Sequence, residues 1–150
     1  MIYLGADHRG YELKQRLKKR LSDEGFEVTD LGSDTLNPGD DYVIYAHKVA
    51  DAVAGGVEGD RGILLCGSGA GVDIVANKVE GIRSALVFDV PRAVQARQHE
   101  NANVISLPAD TLDEESTWEI VKAFLTTEFS GQERHKRRLQ ELQEVEKEHS

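Results

Sequence analysis

Residues 62–71 read GILLCGSGAG, an unbroken apolar run that passes directly into a glycine-rich turn. An apolar run without polar alternation is typical of a strand that is buried on both faces of a parallel sheet. The three glycines of the turn, Gly67, Gly69 and Gly71, allow a tight turn and a close approach of a ligand to the backbone. The segment therefore predicts a central strand that ends in a loop, with a helix after the loop.

Short apolar runs and helical patterns alternate on both sides of this segment. We predict further strands over residues 2–4, 26–28, 84–87 and 104–107 and a loop over residues 30–41. The predicted helices cover residues 11–24, 42–53, 72–79, 91–99, 111–127 and 132–148. This alternation predicts a Rossmann-like three-layer α/β sandwich, in which helices cover both faces of a five-stranded parallel sheet. The 150 residues fit one domain, with residues 132–148 as a C-terminal extension helix.

Composition excludes several classes of protein. The chain has 27 acidic and 18 basic side chains and a net charge of −9, which disfavours nucleic acid as a partner. No apolar run is long enough to span a membrane, and no signal-peptide pattern precedes the first strand, so we expect a cytoplasmic protein. The single cysteine, Cys66, excludes an internal disulfide and a cysteine-rich zinc site, and we expect no bound metal.

Ligands of parallel α/β proteins bind at the carboxyl ends of the strands. This rule selects the loops at residues 5–10, 66–71, 88–92 and 107–110. In the second of these loops, Cys66 stands where amides at the start of a helix favour an anion or a thiolate. Cys66 is either a nucleophile or base, or a small buried side chain before an ordinary turn, and its place on this loop favours the first interpretation. The loop lacks the Walker lysine and the GxGxxG spacing, which argues against ATP and NAD.

Three polar clusters lie outside the glycine-rich loop. Residues 7–10, DHRG, suit a polyhydroxylated or anionic ligand, or form a solvated turn. His99 lies near the end of a predicted helix, where it acts as a proton donor or only as a helix cap. Arg134 and Arg138 are four residues apart on a helix, so they either reach one phosphate together or belong to a solvated face.

Six segments occur in a characteristic order and spacing: GADHRG at 5–10, GILLCGSG at 62–69, ANK at 76–78, GIR at 81–83, RQH at 97–99 and RH at 134–135. Together they resemble the type B ribose-5-phosphate isomerase family, which also includes galactose-6-phosphate isomerase subunits. The resemblance extends to about residue 146. It implies a cofactor-free interconversion of an aldose phosphate and a ketose phosphate through a cis-enediolate. It also implies a homodimer or a dimer of dimers, with active sites shared between subunits and the C-terminal helix packing on or reaching a partner.

The resemblance assigns roles to individual residues. Cys66 matches the base that moves a proton between C1 and C2, His99 the residue that assists ring opening, and Ser68 a hydroxyl beside the reacting carbons. The implied substrate-binding residues are Asp7, His8, Tyr42, Gly67, Gly69, Ala70, Gly71, Glu100, Asp110, Arg134 and Arg138. Some relatives use a glutamate in the helix after the loop instead of the cysteine. The corresponding position here is about Val72, so the chain resembles the cysteine type.

The chain departs from the family pattern at three places. Glu100-Asn101 stands where the family usually has Asn-Asp, and Val43 where a proline commonly follows the tyrosine. Pro108-Ala109-Asp110 stands where Gly-Ala-Arg supplies a phosphate-binding arginine. A carboxylate beside a phosphate is costly unless another cation compensates it. The candidate cations are Arg9, Arg92, Lys136 and Arg137.

These departures leave three functional hypotheses. The first is isomerisation of ribose 5-phosphate to ribulose 5-phosphate. The second keeps the chemistry and changes the sugar, with or without a phosphate. The third is a sugar-phosphate-binding protein without catalysis, which is disfavoured because a pure binder has no need of Cys66, Ser68 and His99.

Overall fold

Five strands alternate with six helices in the computed structural model, which describes residues 1–150. The elements are β1 (Ile2–Ala6), α1 (Tyr11–Asp23), β2 (Val28–Asp30), α2 (Tyr42–Ala54), β3 (Arg61–Cys66), α3 (Ala70–Ala76), β4 (Ser84–Leu86), α4 (Val90–Glu100), β5 (Val104–Pro108), α5 (Glu114–Thr126) and α6 (Glu133–Glu148). No helix combines the length and the apolar character that crossing a membrane requires.

The strands form one parallel sheet with the order β2-β1-β3-β5-β4. The apolar run 62–66 lies at its centre, since β3 pairs with β1 on one side and with β5 on the other. Consecutive side chains of β3 point to opposite faces, and both faces are covered. Ile63 and Leu65 belong to one core and Leu64 and Cys66 to the other. The predicted fold class is therefore confirmed.

Two layers of helices cover the sheet. Buried side chains of α1, α4 and α5 form the core on one face, and those of α2 and α3 form the core on the other face. The sixth helix lies outside these layers and packs on α4. This arrangement leaves the loops after β1, β3 and β5 open at the carboxyl edge of the sheet.

The structure corrects the bounds of three predicted elements. The second strand covers Val28–Asp30 rather than 26–28, because the Phe26 amide still donates to the Leu21 carbonyl at the end of α1. The third helix starts at Ala70, directly after Gly69, and ends at Ala76. The fifth helix starts at Glu114 rather than at residue 111, because the Asp113 carboxylate accepts the Ser116 amide at 2.7 Å and caps the helix.

A buried lysine joins α1 to the end of β2. Lys14 is buried together with Leu17 and Leu21, whereas Leu13 is only half-buried. Lys14 Nζ donates to Asp30 Oδ1 at 2.7 Å and to Asp30 Oδ2 at 2.6 Å. Burial alone would raise the pKa of Asp30, but hydrogen bonds from Lys14, the Gly32 amide and Lys18 outweigh it and hold that pKa below its ordinary value.

Candidate functional site

The loops after β1 and β5 both pack against the loop after β3. A Cβ atom at Gly10 would lie 2.7 Å from the Leu65 Cβ, so the first loop fits only because residue 10 has no side chain. The Ala109 amide donates to the Cys66 carbonyl at 2.8 Å, and the Asp110 amide donates to the Gly67 carbonyl at 3.0 Å. The carboxyl edge therefore brings together three segments that are distant in sequence.

Cys66 ends β3 with its thiol buried beside the first turn of α3. The residue is 5% exposed, and its Sγ accepts a hydrogen bond from the Gly69 amide at 3.2 Å. Gly69 has a φ of 77°, a left-handed conformation that favours glycine. The Gly69 amide therefore points at the sulfur from the residue directly before α3.

Ser68 and Tyr42 complete the surroundings of the loop. Ser68 is exposed, and its Oγ accepts the Ala70 amide at 3.2 Å, which leaves the hydroxyl proton free for a ligand. The Tyr42 ring lies directly against Gly71, where a Cβ atom would be 2.8 Å from the ring Cε2. Gly71 thus makes room for a neighbouring aromatic side chain.

Asp7 and His8 are both held in fixed positions at the same edge. The Asp7 carboxylate is buried and accepts the amides of Arg9 at 3.0 Å and Gly10 at 3.3 Å. His8 Nδ1 lies 2.9 Å from Asp40 Oδ1, and the His8 amide donates to the same oxygen at 3.0 Å. The pairing directs the other ring nitrogen of His8, Nε2, away from Asp40.

Asp40 was missed by the sequence reasoning. It lies in the segment 30–41, predicted only as a loop, and it is separated from His8 by 32 residues without any shared pattern. Asp7, His8 and Asp40 bring possible metal-ligand atoms within 4.8 Å of one another. The hydrogen bonds between His8 and Asp40 account for the proximity of those two residues.

Asp110 forms a bidentate ion pair with Arg9. Arg9 Nε donates to Asp110 Oδ1 at 3.2 Å, and Arg9 Nη2 donates to Oδ2. The pair lies across Gly67, where a Cβ atom would be 2.6 Å from Arg9 Nε and 2.8 Å from Asp110 Oδ2. Arg9 is therefore the cation that compensates Asp110. The other three candidates pair elsewhere: Arg92 with Asp89 at 3.3 Å, Lys136 with Glu133 at 3.6 Å and Arg137 with Glu141 at 3.4 Å.

The structure does not bring His99 or Glu100 to the carboxyl edge. The fourth helix starts at that edge and runs back over 11 residues, or about 16 Å at 1.5 Å per residue. His99 and Glu100 are its last residues, and Arg83 Nε, directly before β4, donates to the Glu100 carbonyl at 3.2 Å. Within one chain they therefore lie at the amino ends of the strands, on the opposite side of the sheet from the carboxyl edge that holds Cys66.

Arg134 and Arg138 lie near His99 rather than near Cys66. The His99 and His135 rings are 4.5 Å apart between centroids, and His135 Nδ1 lies 2.6 Å from Ser130 Oγ. Burial lowers the pKa of His135, and the charges of His99, Arg134 and Arg138 lower it further. Both arginines are exposed on α6, so their predicted common face exists and is open. His99, Arg134 and Arg138 thus form a second cluster around His135. The sequence alone indicated no role for His135.

The fold and the site are those of a parallel α/β protein whose ligand site lies at the carboxyl ends of the strands. The sequence profile of the family described as Ribose/Galactose Isomerase matches residues 2–142. The chain is 42% identical over 148 residues to ribose-5-phosphate isomerase B of Mycobacterium tuberculosis, an alignment that covers 99% of this chain and 91% of that protein. The chain therefore belongs to the ribose/galactose isomerase family, a family of aldose–ketose isomerases.

Solved structures of the family superpose on nearly the whole chain. Ribose-5-phosphate isomerase B from Mycoplasma genitalium, solved with bound ribulose-5-phosphate, has a TM-score of 0.94 and 41% identity, over 98% of this chain and 96% of that one. The Clostridium thermocellum ribose-5-phosphate isomerase B has a TM-score of 0.93 and 39% identity, over 99% of each chain.

Proposed function

We propose that the chain interconverts ribose 5-phosphate and ribulose 5-phosphate, with Cys66 as the base. The observation that carries the proposal is the Gly69 amide held 3.2 Å from the Cys66 sulfur, on a strand-end loop of an aldose–ketose isomerase. Support comes also from the M. genitalium relative, which was solved with bound ribulose-5-phosphate.

The proposed chemistry moves one proton between two neighbouring carbons. The Cys66 thiolate removes the proton from C2 of the open-chain aldose, and the electron pair passes to the carbonyl oxygen at C1 to give the cis-enediolate. The proton of the C2 hydroxyl passes to the C1 oxygen, and the thiol returns its proton to C1 as the C2 oxygen becomes the ketone, so no external oxidant or reductant is consumed. A positioned base contributes about 10²–10⁴-fold in rate, and amides of the loop 67–71 stabilise the developing oxyanion.

The rest of the proposed site comes from a second copy of the chain. His99, Arg134 and Arg138 lie at the opposite edge of their own sheet, so one chain cannot bring them to its own Cys66. In a homodimer with shared sites, His99 of the partner subunit assists ring opening, and the partner's Arg134 and Arg138 bind the phosphate. Several large apolar side chains are exposed near the carboxyl edge and suit such an interface: Val43, Ile44, Ile74, Leu86 and Phe88.

A second candidate function keeps the chemistry and changes the sugar. Asp110 stands where the resemblance leads one to expect a phosphate-binding arginine, and its carboxylate pairs with Arg9 instead of leaving a free cation there. A sugar with a different phosphate position, or with none, is therefore the alternative substrate.

A substrate panel separates these candidates. The purified protein is incubated with ribose 5-phosphate, ribose, erythrose 4-phosphate, allose 6-phosphate and galactose 6-phosphate, and ketose formation is followed. The highest kcat/KM is expected for ribose 5-phosphate. A higher value for another sugar would favour the second candidate, and no ketose from any sugar would contradict the isomerase function.

A further inference from the structure

We propose that the Arg9–Asp110 ion pair is a specificity-determining pair, which offers the substrate a charge-neutral surface for sugar hydroxyls instead of a phosphate-binding cation. The inference rests on the proposed isomerase function. It concerns the chemical class of group that the carboxyl edge of this chain accepts beside Cys66.

The position of the pair supports a role in substrate contact. Its side chains lie across Gly67, the residue that follows Cys66. Both partners are anchored through the backbone: the Asp110 amide donates to the Gly67 carbonyl at 3.0 Å, and the Arg9 amide donates to Asp7 Oδ1 at 3.0 Å. The pair is thus fixed to the loop that carries the proposed base and to Asp7, which the resemblance assigns to substrate binding.

The hydrogen-bonding capacity of the pair suits hydroxyl groups. The ion pair engages Arg9 Nε and Nη2 with both oxygens of Asp110, which leaves both Nη1 donors, the second Nη2 donor and a further lone pair on each carboxylate oxygen. A sugar hydroxyl both donates and accepts, so it can be satisfied by this combination. A phosphate dianion at the same place would meet a carboxylate beside the guanidinium, and the attraction of Arg9 would be largely cancelled.

Exposure argues against a purely structural role. The Arg9 side chain is 56% exposed and that of Asp110 is 41% exposed. An ion pair with that much solvent contact adds little to folding stability. The same exposure leaves the free donors and acceptors accessible to a ligand.

The test measures phosphate preference, the ratio of kcat/KM for ribose 5-phosphate to kcat/KM for ribose. Asp110→Asn leaves the Arg9 charge unopposed, and the ratio is expected to rise about tenfold, the effect of one charge-assisted hydrogen bond. Arg9→Met leaves the Asp110 carboxylate unopposed, and the ratio is expected to fall by about the same factor. Arg9→Gln serves as a second, polar variant, and the double variant R9M/D110N is expected to return close to the parent ratio.

A matched control separates local charge from net charge. Lys19→Met and Asp23→Asn make the same charge changes at another exposed ion pair, whose atoms are 2.7 Å apart near the end of α1. The phosphate preference of these two variants is expected to stay at the parent value. Melting temperatures of all variants identify any that are misfolded.

A phosphate preference that rises in Asp110→Asn and falls in Arg9→Met supports the proposal. A preference that moves in the same direction in both variants, or in neither, overturns it. Calorimetric dissociation constants for ribitol 5-phosphate give the same comparison without turnover: Asp110→Asn should tighten binding and Arg9→Met should weaken it. A parent protein that isomerises no sugar would contradict the proposed function. The dissociation constants for ribitol 5-phosphate in Asp110→Asn and Arg9→Met would still decide the role of the pair.

Discussion

The Gly69 amide donates a hydrogen bond to the Cys66 sulfur over 3.2 Å, and Gly69 supplies it from a left-handed backbone conformation. A Cβ atom at this position would lie 2.6 Å from Leu86 Cδ1 and 3.0 Å from the carbonyl carbon of Leu107. The contact therefore depends on a residue without a side chain, and it couples the backbone of the loop to the proposed base.

Gly69→Ala is expected to lower kcat/KM by about 10²–10³-fold, because the displaced amide no longer supports the sulfur or the oxyanion. Gly25→Ala is the matched control, since Gly25 has a φ of 90° and a Cβ atom there would meet no other atom within 4 Å. Both changes carry a backbone strain of about 1–2 kcal/mol. Kinetics and thermal melts of the two variants make the comparison, and equal loss of activity in both would contradict the role of Gly69.

Mixing two inactive variants tests the shared site. In a dimer of Cys66→Ala and His99→Asn chains, one of the two sites has both substitutions and the other has neither. Equimolar subunit exchange is therefore expected to restore about one quarter of parental activity, since about half of the dimers are mixed and each has one intact site. Activity is measured before and after exchange, with each variant alone as the control. No recovery, although mixed dimers are demonstrated by mass spectrometry, would contradict the shared arrangement.

Lys14→Met is expected to lower the free energy of unfolding by about 3 kcal/mol, because it leaves the Asp30 carboxylate buried without its principal partner. The double variant K14M/D30N removes both charges and is expected to regain part of that loss. Denaturant titration measures both, with Lys19→Met as an exposed lysine control on the same helix. A Lys14→Met variant as stable as the control would show that the buried pair is not required.

The buried His135 is expected to make the folded protein less stable on acidification. Its pKa is lowered in the folded protein, so below the ordinary value of 6.5 the unfolded chain binds more protons at this residue than the folded chain. The free energy of unfolding is therefore expected to fall as pH decreases through 6.5, and His135→Gln should flatten that dependence. Denaturant titrations on both sides of that pH give the slope, with exposed His149→Gln as the control. An unchanged slope in His135→Gln would contradict the assignment.

Local pattern was sufficient to predict the sheet and the loops that meet at the carboxyl ends of its strands. The run 62–66 has no polar residue because both faces of β3 are covered, and strand-end loops meet at one edge in any parallel sheet. Lys14 was missed although residues 14, 17 and 21 have the spacing of one helix face. A lysine is rarely buried without a partner, and its partner Asp30 is 16 residues away.

The positions of the candidate residues relative to one another were harder to predict than the elements on which they lie. The His99 pattern correctly indicated a helix end, but the end of α4 lies at the opposite edge from Cys66 because the helix runs antiparallel to the strands. The pairing of His8 with Asp40 and of Arg9 with Asp110 depends on loops that meet only in the folded chain. Such long-range pairings have no local signature in one sequence.

The role of Cys66 is tested most directly by turnover of ribose 5-phosphate in Cys66→Ala, with solvent deuterium incorporation at C1 and C2 measured in parallel. We expect kcat to fall by about 10³-fold and exchange to fall with it, because the proton-transferring group is removed. An unchanged melting temperature shows that the variant remains folded. A folded Cys66→Ala protein that keeps isomerisation and exchange near parental rates would contradict Cys66 as the base.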